Sequence, residues 1–196
     1  MNTKTPRRLI VGISGASGTI YGIRILEMLK KTDIETHLVM SKSAEMTLVY
    51  ETKFKPKDVK ALASVVHPAA DIGASISSGS FATMGMIIVP CSIRTMSEIA
   101  TGVTSSLMSR AADVVLKEKR RLVLALRETP LHGGHLRTLT TLADIGAIVA
   151  PIVPAFYTRP KTVDDIVNHT CGRLLDMFGI ETKVVKRWKG GPEETE

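Results

Sequence analysis

Arg8-Leu-Ile-Val-Gly-Ile-Ser-Gly-Ala-Ser-Gly-Thr-Ile-Tyr-Gly-Ile-Arg-Ile-Leu26 passes from strand to turn to helix in one run. Leu9 to Ile13 is apolar and β-branched over the length of a buried parallel strand. Ser14 to Gly18 are small residues that let the backbone turn sharply and approach a ligand closely. From Thr19 onward Ile20, Ile23, Leu26, Met28 and Leu29 follow helical spacing. Such a loop aims free backbone N–H groups and the positive end of a helix dipole at one point, which suits a phosphate. At the first strand of an α/β chain, this favours phosphate binding over a plain βα turn.

The same loop excludes two common ligands. Its glycines, Gly12, Gly15 and Gly18, run G-x-x-G-x-x-G instead of the G-x-G-x-x-G of dinucleotide folds. The next strand, Glu35-Thr-His-Leu-Val-Met-Ser41, ends in Met and Ser where an NAD site needs an acid for the ribose. No G-K-[ST] triplet marks a nucleoside-triphosphate loop. The reading is a mononucleotide or another single-phosphate ligand.

Strand and helix patterns alternate along the rest of the chain. Strands are expected at Thr36–Met40, Met86–Pro90, Leu122–Leu126 and Ile148–Val153. Helices are expected from Ser41 or Ser43, then over Lys57–Val65, Thr95–Ala100, Ser105–Lys119, His135–Ile145 and Val163–Phe178. The last places Ile166, Val167, Cys171, Leu174, Leu175 and Phe178 on one face. This order implies an α/β, three-layer Rossmann-like or flavodoxin-like fold, a parallel sheet covered by helices on both faces. Residues 1–190 are expected to form a single domain, and 191–196 a flexible tail. Ligands in such sheets sit beyond the carboxyl ends of the strands. That selects the loops Ser14–Thr19, Ser41–Ser43, Cys91–Thr95, Arg127–Pro130 and Pro154–Arg159.

At 196 residues the chain can bury a full core. Hydrophobic content is 44% with only 4% aromatics, and mean hydropathy is +0.13. Apolar helices of this kind suggest surfaces buried between subunits of a homo-oligomer. The net charge of +7 forms no long basic tract and is not interleaved with stacking aromatics, so nucleic acid is not expected as a partner. A positive balance also suits small anionic substrates. Cys91 and Cys171 fit neither a disulfide framework nor a zinc motif. The polar Met1–Arg8 and the short first strand predict no signal peptide, no membrane partner and a cytoplasmic location.

The selected loops carry hydroxyls and charges. Ser41 and Ser92 read as helix caps, Thr95 as an alternative cap, and each remains compatible with ligand contact. In Ser109–Arg121, Asp113 and Lys117 stand four apart as a surface pair. Arg110 and Lys117 share a face, and Lys119, Arg120 and Arg121 read as a solvated helix end. Arg127 and Glu128 follow a strand, either as a structural ion pair or, by location, as part of a site. Thr162 with Asp164 and Asp165 reads as a capped helix start, not as a metal site. His132 and His135 read as structural or capping residues. No metal site is expected, since neither D-D-x-x-D nor a zinc spacing occurs. A G-x-S-x-G hydrolase turn is also lacking.

Taken together, Gly12–Gly18, Tyr21-Gly22, Ser41-Lys42, Glu51-Thr52, Ser78-Gly79-Ser80, Pro90-Cys91-Ser92, Arg110–Glu118, Arg127–Leu131, Pro154-Ala-Phe-Tyr157, Pro160, Asp164-Asp165, Arg173 and Arg187-Trp188 resemble the flavin prenyltransferases. This is the UbiX/Pad family, formerly called aromatic-acid decarboxylases. The resemblance runs in family order from Arg8 to Gly190. R-A-A-D-V-x-L-K-E and P-A-F-Y are its specific motifs.

The resemblance implies an FMN-binding homododecamer with active sites at subunit junctions. It implies transfer of a dimethylallyl group from dimethylallyl monophosphate to N5 and C6 of reduced FMN. The product, prenyl-FMN, serves a UbiD-type decarboxylase. By motif position, Gly15, Ala16, Ser17, Ser41, Ser92, Ile93, Arg94, Thr95 and Arg127 would hold FMN. Lys117, Tyr157 and Arg173 would hold the substrate phosphate, and Trp188 would cover the prenyl group. Glu51, Lys117, Glu128 and Ser17 would be catalytic, with Glu51 relaying a proton to the departing phosphate. Ser106 and Arg137-Thr138 depart from the frequent family residues, away from the phosphate positions. The competing readings are a flavin-dependent decarboxylase of an aromatic acid or peptidyl cysteine, and a non-catalytic FMN carrier.

Overall fold

The computed structural model describes residues 7–185 and 187. The expected tail and Trp188 lie outside the described residues. Along the chain run β1 (Arg8–Ile13), α1 (Thr19–Leu29), β2 (Glu35–Met40), α2 (Lys42–Glu51), α3 (Pro56–Lys60) and β3 (Val65–His67). A 3-10 turn at Ser75–Ser77 precedes β4 (Gly85–Cys91). Then come α4 (Ile93–Ala100), α5 (Leu107–Lys117), β5 (Arg121–Leu126), α6 (Gly133–Asp144), β6 (Ile148–Val149) and α7 (Val163–Asp176).

The strands form one sheet in the order β3-β2-β1-β4-β5-β6, and every pairing is parallel. The α/β expectation holds, and the chain crosses over between the neighbours β1 and β4, a topological switch point. Strand residues alternate between two cores, as a period of two requires. Leu9, Val11 and Ile13 of β1 pack with α1 and α7 on one face. Ile10 of β1 with Met86 and Ile88 of β4 packs against α5 on the other. The central strands are buried on both faces, so they read as unbroken apolar runs.

Two elements differ from the sequence expectation. The helix expected over Lys57–Val65 stops at Lys60, and Val65–His67 pairs with β2 as edge strand β3. Only three residues long, β3 has too little pattern to announce itself. The strand expected over Ile148–Val153 is regular only at Ile148–Val149, although Ala150 and Ile152 still donate N–H bonds to Leu124 and Leu126.

The helix ends follow local chemistry. Ser41, Ser92, Ser106, His132 and Thr162 cap α2, α4, α5, α6 and α7 through their own side chains. The start of α1 is different. Its cap, Gly18, has φ +98°, which favours glycine, and it has no side chain to offer.

Candidate active site

The loops after β1, β2, β4 and β5 meet at the carboxyl edge of the sheet. The Ser14 hydroxyl ties two of them together, donating to the Pro90 carbonyl at 2.9 Å and accepting the Ser92 N–H at 2.7 Å. The Arg127 N–H donates to the Cys91 carbonyl at 3.1 Å, which brings the end of β5 beside the end of β4. Gly15 lies so close to Ser43 that a Cβ would overlap its hydroxyl, so the first loop presses on the start of α2. Next to this junction opens a cavity of about 900 Å³, lined by Ser41, Ser43, His67, Ser92, Arg94 and Thr95 among others. Met40, Met46 and Met108 add apolar wall. The Ser41 Oγ accepts the Ala44 N–H at 3.0 Å, and the Ser92 Oγ accepts the Thr95 N–H at 3.4 Å. Two helix N-termini therefore open beside the cleft with serine caps.

The α1 N-terminus is occupied by the protein itself. Glu51, at the end of α2, accepts the Gly18 N–H at 2.9 Å and the Thr19 N–H and hydroxyl at 3.1 Å each. Here the anion at the glycine loop is a carboxylate of the same chain. Partial burial pushes the Glu51 pKa up, but hydrogen bonds from Ser17, Gly18 and Thr19 outweigh this and hold it below the usual carboxylate range.

The three residues expected at the substrate phosphate are not brought together within one chain. Lys117 ends α5, whose buried side belongs to the second core, and its Nζ pairs with Glu118 at 2.6 Å. Arg173 lies on α7, which packs in the first core, and pairs with Asp176 at 2.7 Å. The sheet stands between them. Lys117 also precedes the start of β5 while Arg127 follows its end, a separation of roughly 17 Å along that strand. Tyr157 does stand near Arg173's helix, its hydroxyl 3.2 Å from His169 Nε2. Burial, and then Arg173, push the His169 imidazole pKa down, with Asp176 opposing. Asp176 is pushed up by burial, but Arg187 and Arg173 outweigh this and keep its carboxyl low.

Other charged expectations are corrected. Asp113 pairs with Arg110 at 2.7 Å and Lys117 with Glu118, so the expected Asp113–Lys117 pair does not form. Arg120 is not part of a solvated end. It is half-buried and donates to the carbonyls of Phe81 at 2.8 Å and Gly79 at 2.6 Å. Arg121 reaches the Met177 carbonyl. Arg127 and Glu128 are both exposed, and Glu128 accepts the Thr129 N–H at 2.9 Å. Sequence reasoning missed His67 on the cleft wall, His37 behind it and His169 behind Tyr157.

The cleft suits FMN on its own chemistry. A volume of about 900 Å³ lies within the range of roughly 300–1,000 Å³ typical of small-molecule sites. Hydroxyls, helix-end amides and Arg94 offer donors for a phosphate, and methionines offer a surface for an apolar ring. Among the described residues, no group of three His, Cys, Asp or Glu stands together as a metal site, and no helix is long and apolar enough to cross a membrane.

Such a sheet, with a hydroxyl-rich cleft at its carboxyl edge, defines an α/β flavoprotein, and residues 1–175 match the Flavoprotein family. The flavin prenyltransferase UbiX of Escherichia coli strain K12 is 59% identical over 187 residues, covering 94% of this chain and 99% of that protein. The crystal structure of AnUbiX (PadA1) in complex with FMN and dimethylallyl pyrophosphate superposes with a TM-score of 0.94. It is 47% identical and covers 96% of this chain and 100% of that one. A dodecameric FMN-dependent UbiX-like decarboxylase from Escherichia coli O157:H7 gives a TM-score of 0.92 at 49% identity, covering 93% and 100%. The chain belongs to the UbiX flavin prenyltransferase family.

Proposed function

We propose that this chain joins a dimethylallyl group from dimethylallyl monophosphate to reduced FMN, and that the prenyl-FMN formed is passed to a UbiD-type decarboxylase. One observation carries the reading. A cleft built for a phosphate-bearing flavin lies at the carboxyl edge of a chain that overlays AnUbiX, solved with FMN and dimethylallyl pyrophosphate, at a TM-score of 0.94.

Reduced FMN would supply the electron-rich nitrogen and ring carbon that take the prenyl group. Ser41, Ser92 to Thr95, the Gly15–Ser17 loop and Arg127 would hold it. Lys117, Tyr157 and Arg173 would neutralise the phosphate as its C–O bond to the prenyl carbon breaks. Glu51, a carboxylate bonded by the Gly18 and Thr19 N–H groups, would take up the proton that the prenyl group displaces and hand it to the departing phosphate. Ser17 bonds Glu51, and Glu128 stands beside Arg127 at the end of β5.

The separation of Lys117 from Arg173 supports an oligomer in which different chains complete each phosphate site, and a dodecamer fits the relative from Escherichia coli O157:H7. Exposed Tyr50, Phe156 and Val163 offer apolar surface for such contacts. The unpaired buried thiols Cys91 and Cys171 support a reducing, cytoplasmic setting. The decarboxylase served would belong to ubiquinone synthesis or to phenolic-acid breakdown.

The test is mass spectrometry of flavin extracted after anaerobic incubation with reduced FMN, offering dimethylallyl monophosphate and the diphosphate separately. A gain of one C5 unit with the monophosphate supports the proposal. Unmodified flavin from folded, flavin-bound protein would overturn it and return attention to decarboxylase or carrier activity.

A further inference from the structure

Behind the cleft wall, three side chains form a hydrogen-bonded row across β2 and β3. Glu35 Oε1 lies 2.7 Å from His37 Nε2, and His37 Nδ1 lies 2.9 Å from His67 Nε2. Strand register makes the row possible. Glu35 and His37 are two apart on β2, while His37 pairs with Val65 and Val39 with His67, so both histidines lie on one face of the sheet. His37 is 3% exposed, its ring stacked 5.2 Å from His67 and edge-on to Phe81 at 5.1 Å. Arg8 lies over the Phe81 ring and bonds Glu35 at 3.3 Å. His67 completes the row and lines the cleft.

The row has a defined polarity. The His37 bond, then burial opposing it, then Arg8 leave the Glu35 carboxyl below its usual pKa, so it is an acceptor only. His37 Nε2 must then carry a hydrogen. In the neutral pair His37 Nδ1 is a lone pair, so His67 Nε2 carries the shared hydrogen. His67 Nδ1 is thereby left as an acceptor. One proton added to the pair reverses this wherever it settles. If it stays on His67, Nδ1 gains a hydrogen. If His37 becomes doubly protonated, its Nδ1–H donates to His67 Nε2, and His67 again carries its hydrogen on Nδ1. A second added proton would set two imidazolium rings against each other across the 2.9 Å bond.

We propose that His67, oriented by His37 and Glu35, is a ligand-reading residue of the cleft: it accepts a hydrogen bond from a ligand N–H or O–H when the pair is neutral and becomes a donor when the pair gains one proton. The inference rests on the flavin reading of the cleft and adds which end of the ligand lies there. At neutral pH an acceptor repels phosphate oxygens, so a hydroxyl or N–H of the ligand, and not its phosphate, lies at His67.

Burial, then His37, lower the His67 pKa, and Asp71 opposes them. The other charges around the row are Arg8 and Glu35. On the cleft side stand Lys42, the pair Lys60–Glu45 at 2.6 Å and the pair Arg94–Glu98 at 2.9 Å.

The test is fluorescence titration of riboflavin and FMN between pH 5 and 8 with the whole protein, its His67→Gln variant and its His67→Leu variant. Riboflavin has no phosphate to titrate, so its pH dependence reports on the protein. The expected result is that wild-type affinity for riboflavin falls about five- to tenfold toward pH 5. His67→Gln, whose amide oxygen accepts but does not titrate, stays within about threefold of wild type at pH 8 and is flat with pH. His67→Leu binds about tenfold more weakly at pH 8 and is also flat. Wild-type binding that is flat with pH, a pH dependence retained in His67→Gln, or unchanged affinity in His67→Leu would each overturn the proposal. Folded wild-type protein that binds neither flavin at any pH would overturn the flavin reading itself, an outcome distinct from flavin binding indifferent to His67.

Discussion

The carboxylate of Glu51 caps a helix 33 residues earlier in the chain, accepting the Gly18 N–H at 2.9 Å. Gly18 has no side chain to cap α1, and the end of α2 supplies the missing acceptor. Glu51→Ala is expected to cost about 1 kcal/mol of stability, as losing a cap does. The folded pKa is depressed. The charge-dependent part of this contribution is therefore full above the unfolded value of about 4.3 and is lost as pH falls through the folded value. Urea unfolding of wild type and Glu51→Gln from pH 7 to pH 3 checks this. The gap between them should be constant to about pH 5 and close below that.

Arg120 holds two carbonyls of the segment between β3 and β4, those of Phe81 and Gly79. Its removal leaves both half-buried acceptors without their charged donor. Arg120→Ala is expected to lower stability by about 2 kcal/mol, and Arg120→Lys to recover little of it, because an ammonium cannot span both oxygens as a guanidinium fork does. Urea midpoints of the three proteins decide the point. Equal midpoints for arginine and lysine would remove the fork argument.

Burial pushes the thiols of Cys91 and Cys171 up to about 12. At pH 8 almost no thiolate exists to attack a reagent, and neither sulfur is accessible. Native protein should therefore show no rapid reaction with a disulfide reagent at pH 8, and both thiols should react at once in denaturant. A fast native phase would mean that α7 or the β4 end opens readily.

The fold was legible where burial on both faces made β1, β4 and β5 continuous apolar runs, and where Ser41, Ser92 and Thr162 preceded helices they cap. Local rules sufficed because the partners lie within a turn. Edge strand β3 was hidden because its three residues follow a helix-like run and carry only half-buried or exposed side chains. The link between Glu51 and Gly18 spans two helices and a strand, so no spacing announces it. Lys117 was misassigned a partner because periodicity offered Asp113, while Arg110 already holds that carboxylate. His37 looked like an ordinary strand residue. Its meaning appears only when β3 sets His67 beside it.

Lys117 and Arg173 stand on opposite sides of the sheet, each on a helix of a different core. If both bind the departing phosphate, they come from different chains of an oligomer. Lys117→Ala and Arg173→Ala should each retain FMN and each lose at least about a hundredfold in prenylation rate, the usual cost of removing one charge-stabilising donor. Mixed oligomers made by producing the two variants together contain junctions where an intact Lys117 from one chain meets an intact Arg173 from another. Those junctions should restore a measurable fraction of wild-type activity, whereas the two proteins purified apart and mixed without subunit exchange should not. The readout is flavin mass after anaerobic incubation with dimethylallyl monophosphate. If co-produced variants remain as inactive as either alone, the two cations act from one chain, and α5 and α7 must rearrange when substrate binds.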